Sequence, residues 1–168
     1  MKDILPTADL CDRFLDAPGE LQVLAPGLRS FGGRRAYAGQ IATLAPASAG
    51  TPPRLRDALS KPGLGRVLVV NAHANASWAL LGDQLAALGL ANGWAGVVLN
   101  GYVRDVRALA GIDIGVHAIG AIPMRPREFE ASDHDCQVAF LGTHFTPGNW
   151  LFVDEDGIVV CEHDCRTG

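Results

Sequence analysis

The chain has 168 residues, of which 48% are hydrophobic and 19% charged, with 20 glycines and 10 prolines; this excludes a disordered polymer and describes one turn-rich globular domain. A formal net charge of −4 leaves no global basic footprint for nucleic acid, so direct nucleic-acid binding is not expected. No apolar run approaches the ~20 residues of a membrane span, and the opening Met1-Lys2-Asp3-Ile4-Leu5-Pro6 lacks the apolar stretch of a secretory leader, so the expected setting is the cytoplasm.

In chain order, residues 7–14 predict a short helix with Thr7 as its N-cap. Residues 30–35 predict a turn, 36–44 a strand, 45–53 a loop and 54–61 a short polar helix. Gly65-Arg66-Val67-Leu68-Val69-Val70 reads as a buried strand. Residues 83–92 follow as a helix with Leu85, Leu88 and Ala91 at helical spacing, and Gly96-Val97-Val98-Leu99-Asn100 is a second buried strand. Strand, helix, strand with short linkers is a βαβ unit, which implies parallel strands and a right-handed crossover. Residues 104–110 predict a short helix and 114–119 a third strand. The last third is expected to be β-rich, with short segments at 137–140, 143–145, 150–153 and 157–160. Four cysteines, Cys11, Cys136, Cys161 and Cys165, read as free thiols in a reducing compartment.

The βαβ unit brings two points close in space: the helix start at Leu80-Leu81-Gly82-Asp83-Gln84-Leu85, and the strand end at Asn100-Gly101-Tyr102-Val103-Arg104-Asp105. Ligands of open α/β sheets sit beyond the carboxyl ends of strands. Free N–H groups at a helix start favour a carboxylate, which Arg104 could grip in a bidentate fork. Asp105 is a hard oxygen ligand suited to Mg²⁺, a cation that takes few protein carboxylates and several waters. The bland alternative makes Asp83 an N-cap and Arg104–Asp105 a surface charge pair.

Gly82-Asp83, then Gly93-Trp94-Ala95-Gly96-Val97-Val98 and Asn100-Gly101, then Arg104-Asp105 form a pattern that resembles the RraA-like family. That family includes the regulator of ribonuclease activity A and the class II 4-hydroxy-4-methyl-2-oxoglutarate aldolases. Thr7-Ala8-Asp9-Leu10-Cys11-Asp12, Phe31-Gly32-Gly33-Arg34, Gly39-Gln40-Ile41, Asp113-Ile114-Gly115-Val116, Pro147-Gly148 and Asp154-Glu155-Asp156-Gly157 extend the likeness over nearly the whole chain. The resemblance implies a swivelling β/β/α domain that assembles as a homotrimer, or a hexamer of paired trimers, with sites between subunits. It implies that Asp105 holds a divalent cation (Mg²⁺ or Mn²⁺) and that Arg104 binds the carboxylate of a small 2-oxo acid. It also implies that residues 82–85 (Gly82, Asp83, Gln84 and Leu85) contact substrate through backbone amides, and that Asp83 orders water. The implied chemistry is retro-aldol cleavage to pyruvate, with oxaloacetate decarboxylation as a side activity through the same enolate.

The family often has an acid where this sequence has Ala108, after Arg107, and a Gly-rich stretch where it has Asn71-Ala72-His73-Ala74-Asn75. Longer aldolases carry a C-terminal extension that gives an acid to the neighbouring site; this sequence, ending at Gly168, is expected to do without it. The intact Arg-Asp pair favours the enzyme. Ala108 favours the other branch, a non-enzymatic regulator of ribonuclease E that acts by protein binding. Among other candidates, His73 is either a pocket acid, base or ligand or, more simply, a loop histidine. Cys161-Glu162-His163-Asp164-Cys165 gathers metal-ligating side chains without the spacing of a zinc site. His134 reads as part of an exposed acidic turn, and Trp78, Trp94 and Trp150 as packing residues. Arg34-Arg35 and Arg125-Pro126-Arg127 read as solvated surface, with an anionic partner as the alternative.

Overall fold

The computed structural model describes residues 5–166. The expected absence of a leader rests on residues 1–6, four of which lie outside that range. The elements run α1 (Thr7–Arg13), β1 (Leu21–Val23), β2 (Arg29–Ser30), β3 (Tyr37–Pro46), α2 (Leu55–Leu59), β4 (Val67–Asn71), β5 (Ala79–Leu81), α3 (Asp83–Ala91), β6 (Gly96–Val103), α4 (Val106–Leu109), β7 (Gly115–Ala121) and β8 (Ser132–His134). They continue with β9 (Val138–Phe140), β10 (Thr143–Phe145), β11 (Trp150–Val153) and β12 (Ile158–Cys161).

The unbroken apolar runs of β4 and β6 are the centre of the sheet. Val67, Leu68, Val69 and Val70 are buried, as are Val97, Val98 and Leu99, because both faces of these strands are covered. β3, β4, β6 and β7 are parallel neighbours. Each fully buried aliphatic side chain here contributes roughly 1.5–3 kcal/mol. On one face, Leu68, Val70, Val97 and Leu99 pack with Leu55 and Leu59 of α2, Ala86 of α3 and Leu109. On the other, Val67, Val69 and Val98 pack with Leu151, Val153, Ile158, Val160 and Phe145.

β3 joins the two β layers. Its first residues, Tyr37 to Gln40, pair antiparallel with β11, and Ile41 to Leu44 pair parallel with β4. The strand order along the sheet is β1-β12-β11-β3-β4-β6-β7-β2, with β5 paired to β6 and β8 to β3 off this path. A third cluster, Leu10, Phe152, Val159, Cys161 and Cys165, seals α1 and the C-terminal segment onto the outer face of the second layer. The result is the single α/β domain with β/β/α layering and a β-rich last third that the sequence implied.

Tyr37 is the largest fully buried side chain, and its ring occupies the space beside Gly96 and Gly115, where a Cβ at either position would overlap it. Its hydroxyl is 2.9 Å from His117 Nδ1. Burial raises the Tyr37 pKa above the ordinary phenol value. Burial, with a smaller contribution from the Arg35 charge, pulls His117 down to about 4.

Several expected details differ. Thr7 is the first helical residue of α1 rather than its N-cap, which is Pro6. The Thr7 hydroxyl donates instead to Asp154 Oδ1 at 2.6 Å, and its backbone N–H donates to Asp154 Oδ2 at 2.7 Å, so a carboxylate from the β11–β12 turn satisfies the helix start. β1 and β2 are short edge strands in stretches read as turn or left unassigned. His134 lies in β8, exposed, opposite Leu44 of β3, not in a turn. Arg34 is held by Asp113 through Nε at 3.2 Å and Nη2 at 2.9 Å.

Candidate active site

The strand leading to Gly82 is not the one the sequence suggested. β4 stops at Asn71, whose pairing with Asn100 is the last rung of the β4–β6 ladder: Asn100 Nδ2 donates to Asn71 Oδ1 at 2.8 Å, and the His73 N–H donates to the same oxygen at 3.0 Å. Residues 72–78 then leave the sheet, with His73 and Ala74 in left-handed conformations. The chain returns as β5, which pairs with the far half of β6, Ala79 opposite Tyr102 and Leu81 opposite Val103. The backbone N–H of Arg104 donates to Leu81 O at 2.9 Å. That bond sets the ends of β5 and β6 side by side, so Gly82-Asp83 and Arg104-Asp105 are neighbours.

The glycine matters at this junction. A Cβ at position 82 would stand 2.5 Å from Asp105 Oδ2 and 3.3 Å from Arg104 Cγ. Asp105 itself is a left-handed residue, φ 57° and ψ 37°, at the N-cap of α4. This conformation is uncommon outside glycine, and Asp and Asn tolerate it best. It turns the carboxylate back over Gly82 and beside Arg104, whose Nε is 3.2 Å from Asp105 Oδ2. Both side chains are about two-fifths exposed, 38% each, and so remain open to a ligand.

Asp83 is the first helical residue of α3 and Gly82 the N-cap, which corrects the reading of Asp83 as a cap. The Asp83 carboxylate instead accepts the Gln84 N–H at 2.8 Å. The Ala86 N–H closes the first turn onto Gly82 O at 3.1 Å. The N–H groups of Asp83 and Leu85 therefore have no partner within the helix.

Gly82, Asp83, Gln84, Leu85, Arg104 and Asp105 all line one cavity of about 340 Å³. The sequence missed the rest of its wall. Arg54, Arg56, Arg125 and Phe129 also line the cavity; Arg125 belongs to the Arg125-Pro126-Arg127 run, read from sequence as solvated surface with an anionic partner as the alternative, and Arg54 and Arg56 to the expected polar helix. His73 is exposed on the excursion and does not line the cavity. Arg107 and Ala108 lie on the exposed side of α4, also outside it. Cys161 and Cys165 are buried under α1, and Asp164 pairs with Arg166 at 2.7 Å.

The donor set fits a hard divalent cation that keeps most of its water. Among the described residues no group of three or more His, Cys, Asp or Glu side chains converges, which is inconsistent with an all-protein zinc or calcium cage. Two carboxylates in the cavity wall, Asp83 and Asp105, the latter seated against Gly82, suit Mg²⁺ or Mn²⁺, which retain water and accept substrate oxygens. Asp105 is the residue that would hold it.

The profile of the RraA-like family (Aldolase/RraA) matches residues 7–160. The chain belongs to the RraA-like family. A relative from Laribacter hongkongensis (strain HLHK9), named "Putative 4-hydroxy-4-methyl-2-oxoglutarate aldolase", is 46% identical over 153 residues, 91% of this chain and 93% of the relative. A relative of the same name from Alkalilimnicola ehrlichii is 46% identical over 95% of this chain and 96% of its own length. The RraA-like fold is also seen in the RNA-processing inhibitor RraA from Thermus thermophilis, at 34% identity and a TM-score of 0.86, covering 95% of this chain and 93% of that one. A Geobacillus kaustophilus structure described as an S-adenosylmethionine:2-dimethylmenaquinone methyltransferase aligns with a TM-score of 0.89 and 37% identity over 98% of this chain and 99% of its own. No nucleotide-binding glycine motif follows a strand in this RraA-like chain.

Proposed function

We propose that this protein is a divalent-metal-dependent aldolase that cleaves 4-hydroxy-4-methyl-2-oxoglutarate-type substrates to pyruvate and decarboxylates oxaloacetate as a side activity. The observation that carries this reading is the meeting of Asp105, Arg104 and the start of α3 in the wall of one cavity, with the Asp105 carboxylate seated against Gly82. The names of the relatives at 41–46% identity point the same way. Arg104 holds the pyruvyl carboxylate in a charge-assisted fork. The helix-start N–H groups of Asp83 and Leu85 receive substrate oxygens. Asp83 holds the water that takes the proton from the 4-hydroxyl; the C3–C4 bond then breaks, and C3 of the released pyruvyl fragment is reprotonated. A cation on Asp105 supplies Lewis-acid stabilisation of the negative charge that develops on that fragment. The working form is a cytoplasmic homotrimer or paired trimer.

Pyruvate release from 4-hydroxy-4-methyl-2-oxoglutarate and from oxaloacetate, with and without Mg²⁺ or Mn²⁺, tests the reading. Cation-dependent release is expected from both. No release from either overturns it in favour of the second reading, which the Thermus likeness supports: a protein that binds ribonuclease E and inhibits it.

A further inference from the structure

The cavity carries more positive charge than a single pyruvyl carboxylate requires. Besides Arg104, which is partly neutralised by Asp105, its wall contains Arg54, Arg56 and Arg125. None of these three has an ion-pair partner among the described residues; the pairs formed there are Arg34–Asp113, Arg104–Asp105 and Arg166–Asp164. In a chain of net charge −4, this is a local surplus of cations facing a ligand-sized space.

Arg54 differs from the other two in being held. Its guanidinium carbon lies 5.8 Å from the centroid of the Phe129 ring, and its backbone N–H donates to Ser132 Oγ at 2.8 Å. A guanidinium held over an aromatic face is restricted in position while its N–H donors stay available to a ligand. A guanidinium ordered in advance loses less entropy when it captures a planar carboxylate.

We propose that Arg54, stacked on Phe129, receives a second carboxylate of the substrate and makes the cavity selective for dicarboxylic 2-oxo acids over monocarboxylic ones. This rests on the aldolase reading, in which Arg104 takes the first carboxylate. Arg54 then sets specificity at the carboxylate remote from the one held by Arg104, which in 4-hydroxy-4-methyl-2-oxoglutarate is carried by C4, while Arg56 and Arg125 supply only a general positive field.

Calorimetry on the full chain in Mg²⁺ separates the possibilities, with pyruvate and 2-oxoglutarate as probes. Neither probe has the 4-hydroxyl needed for cleavage, so binding is read without turnover. Wild-type protein is expected to bind 2-oxoglutarate about tenfold or more tightly than pyruvate, the worth of one charge-assisted pair. Arg54→Gln should bring the two affinities to within about twofold of each other by weakening 2-oxoglutarate alone. Arg54→Lys should keep part of the preference. Equal affinities in the wild type overturn the proposal, as does an Arg54→Gln variant that weakens both probes alike. Loss of the preference in Arg125→Gln but not in Arg54→Gln overturns the assignment to Arg54. Failure of the wild type to bind pyruvate at all removes the aldolase reading itself, an outcome distinct from the others. Arg54 is exposed, so an unchanged melting temperature in each variant is expected and reports an intact fold.

Discussion

Gly82 and Asp105 compete for one point in space, since a methyl group on residue 82 would lie 2.5 Å from Asp105 Oδ2. The backbone of Gly82 is extended, φ −128° and ψ −172°, so alanine is allowed there conformationally. What it displaces is the free end of a side chain. Gly82→Ala should therefore fold, at a cost of about 1 kcal/mol for a poorer cap. The displaced carboxylate should lower cation-dependent pyruvate formation by roughly a hundredfold, as misplacement by about an ångström does. Thermal melting beside the pyruvate assay checks both halves; wild-type turnover in this variant would show that the carboxylate's position is unimportant.

For Asp105 the informative substitution is asparagine. Alanine at φ 57° adds a backbone penalty of roughly 1–2 kcal/mol to the loss of the carboxylate. Asn tolerates that conformation and keeps the shape while removing the charge. Asp105→Asn should melt within a few degrees of the wild type yet bind Mn²⁺ much more weakly and form little pyruvate. Titration of Mn²⁺ by electron paramagnetic resonance would measure the first effect directly. Unchanged Mn²⁺ binding would place the cation elsewhere.

The two segments of the candidate site were legible because each sits at a sequence break, Gly82-Asp83 at a helix start and Arg104-Asp105 after a buried strand. The route between them was not. Ala79-Leu80-Leu81 merges with the apolar face of α3 in sequence and becomes a strand by pairing with the far half of β6, a tertiary contact that local composition does not show. Apart from the Arg125-Pro126-Arg127 run, no local pattern marked the rest of the wall. Arg54, Arg125 and Phe129 come from three loop or helix-edge positions, united only by the tertiary fold. The β4 and β6 cores were readable as continuous apolar runs. The Thr7 contact with Asp154 spans 147 positions and leaves no trace in local composition.

Acid stability should depend on His117. Its ordinary pKa near 6.5 falls to about 4 in the fold, through burial first and the Arg35 charge second. Between those values the unfolded chain binds the extra proton, so stability falls as pH drops from about 6.5 to 4, by roughly 3 kcal/mol in all. Asp154 acts lower. Burial would raise its carboxyl, but the Thr7 hydroxyl and the N–H groups of Thr7, Asp156 and Gly157 outweigh that and hold it below the ordinary 3.8. Its contribution is present above that value and is lost only as pH falls through the depressed one. Urea unfolding at pH 7 and pH 4.5 should show the His117 loss in the wild type and little of it in His117→Gln. A wild-type slope in the variant would assign the effect to other groups.

Arg104 and Asp83 should separate in steady-state kinetics. Arg104 grips the substrate carboxylate through paired, charge-assisted hydrogen bonds whose planar geometry Lys cannot reproduce. Arg104→Lys should mainly raise KM, about tenfold or more, with some loss of kcat where the carboxylate shifts from its productive angle. Asp83 acts on the proton. Its one local contact, accepting the Gln84 N–H at 2.8 Å, survives in Asp83→Asn because the amide oxygen accepts equally well. The start of α3 is therefore undisturbed, and the variant removes only the negative charge that orders the proton-accepting water. Asp83→Asn should lower kcat by roughly a hundredfold, within the range of general-base loss, with a smaller change in KM. Measured on oxaloacetate and on 4-hydroxy-4-methyl-2-oxoglutarate, the effect of Asp83→Asn should be larger on the second substrate, which alone has a hydroxyl proton to lose. Equal effects on both would give Asp83 a role in holding the pyruvyl end instead, and wild-type KM in Arg104→Lys would exclude the carboxylate fork.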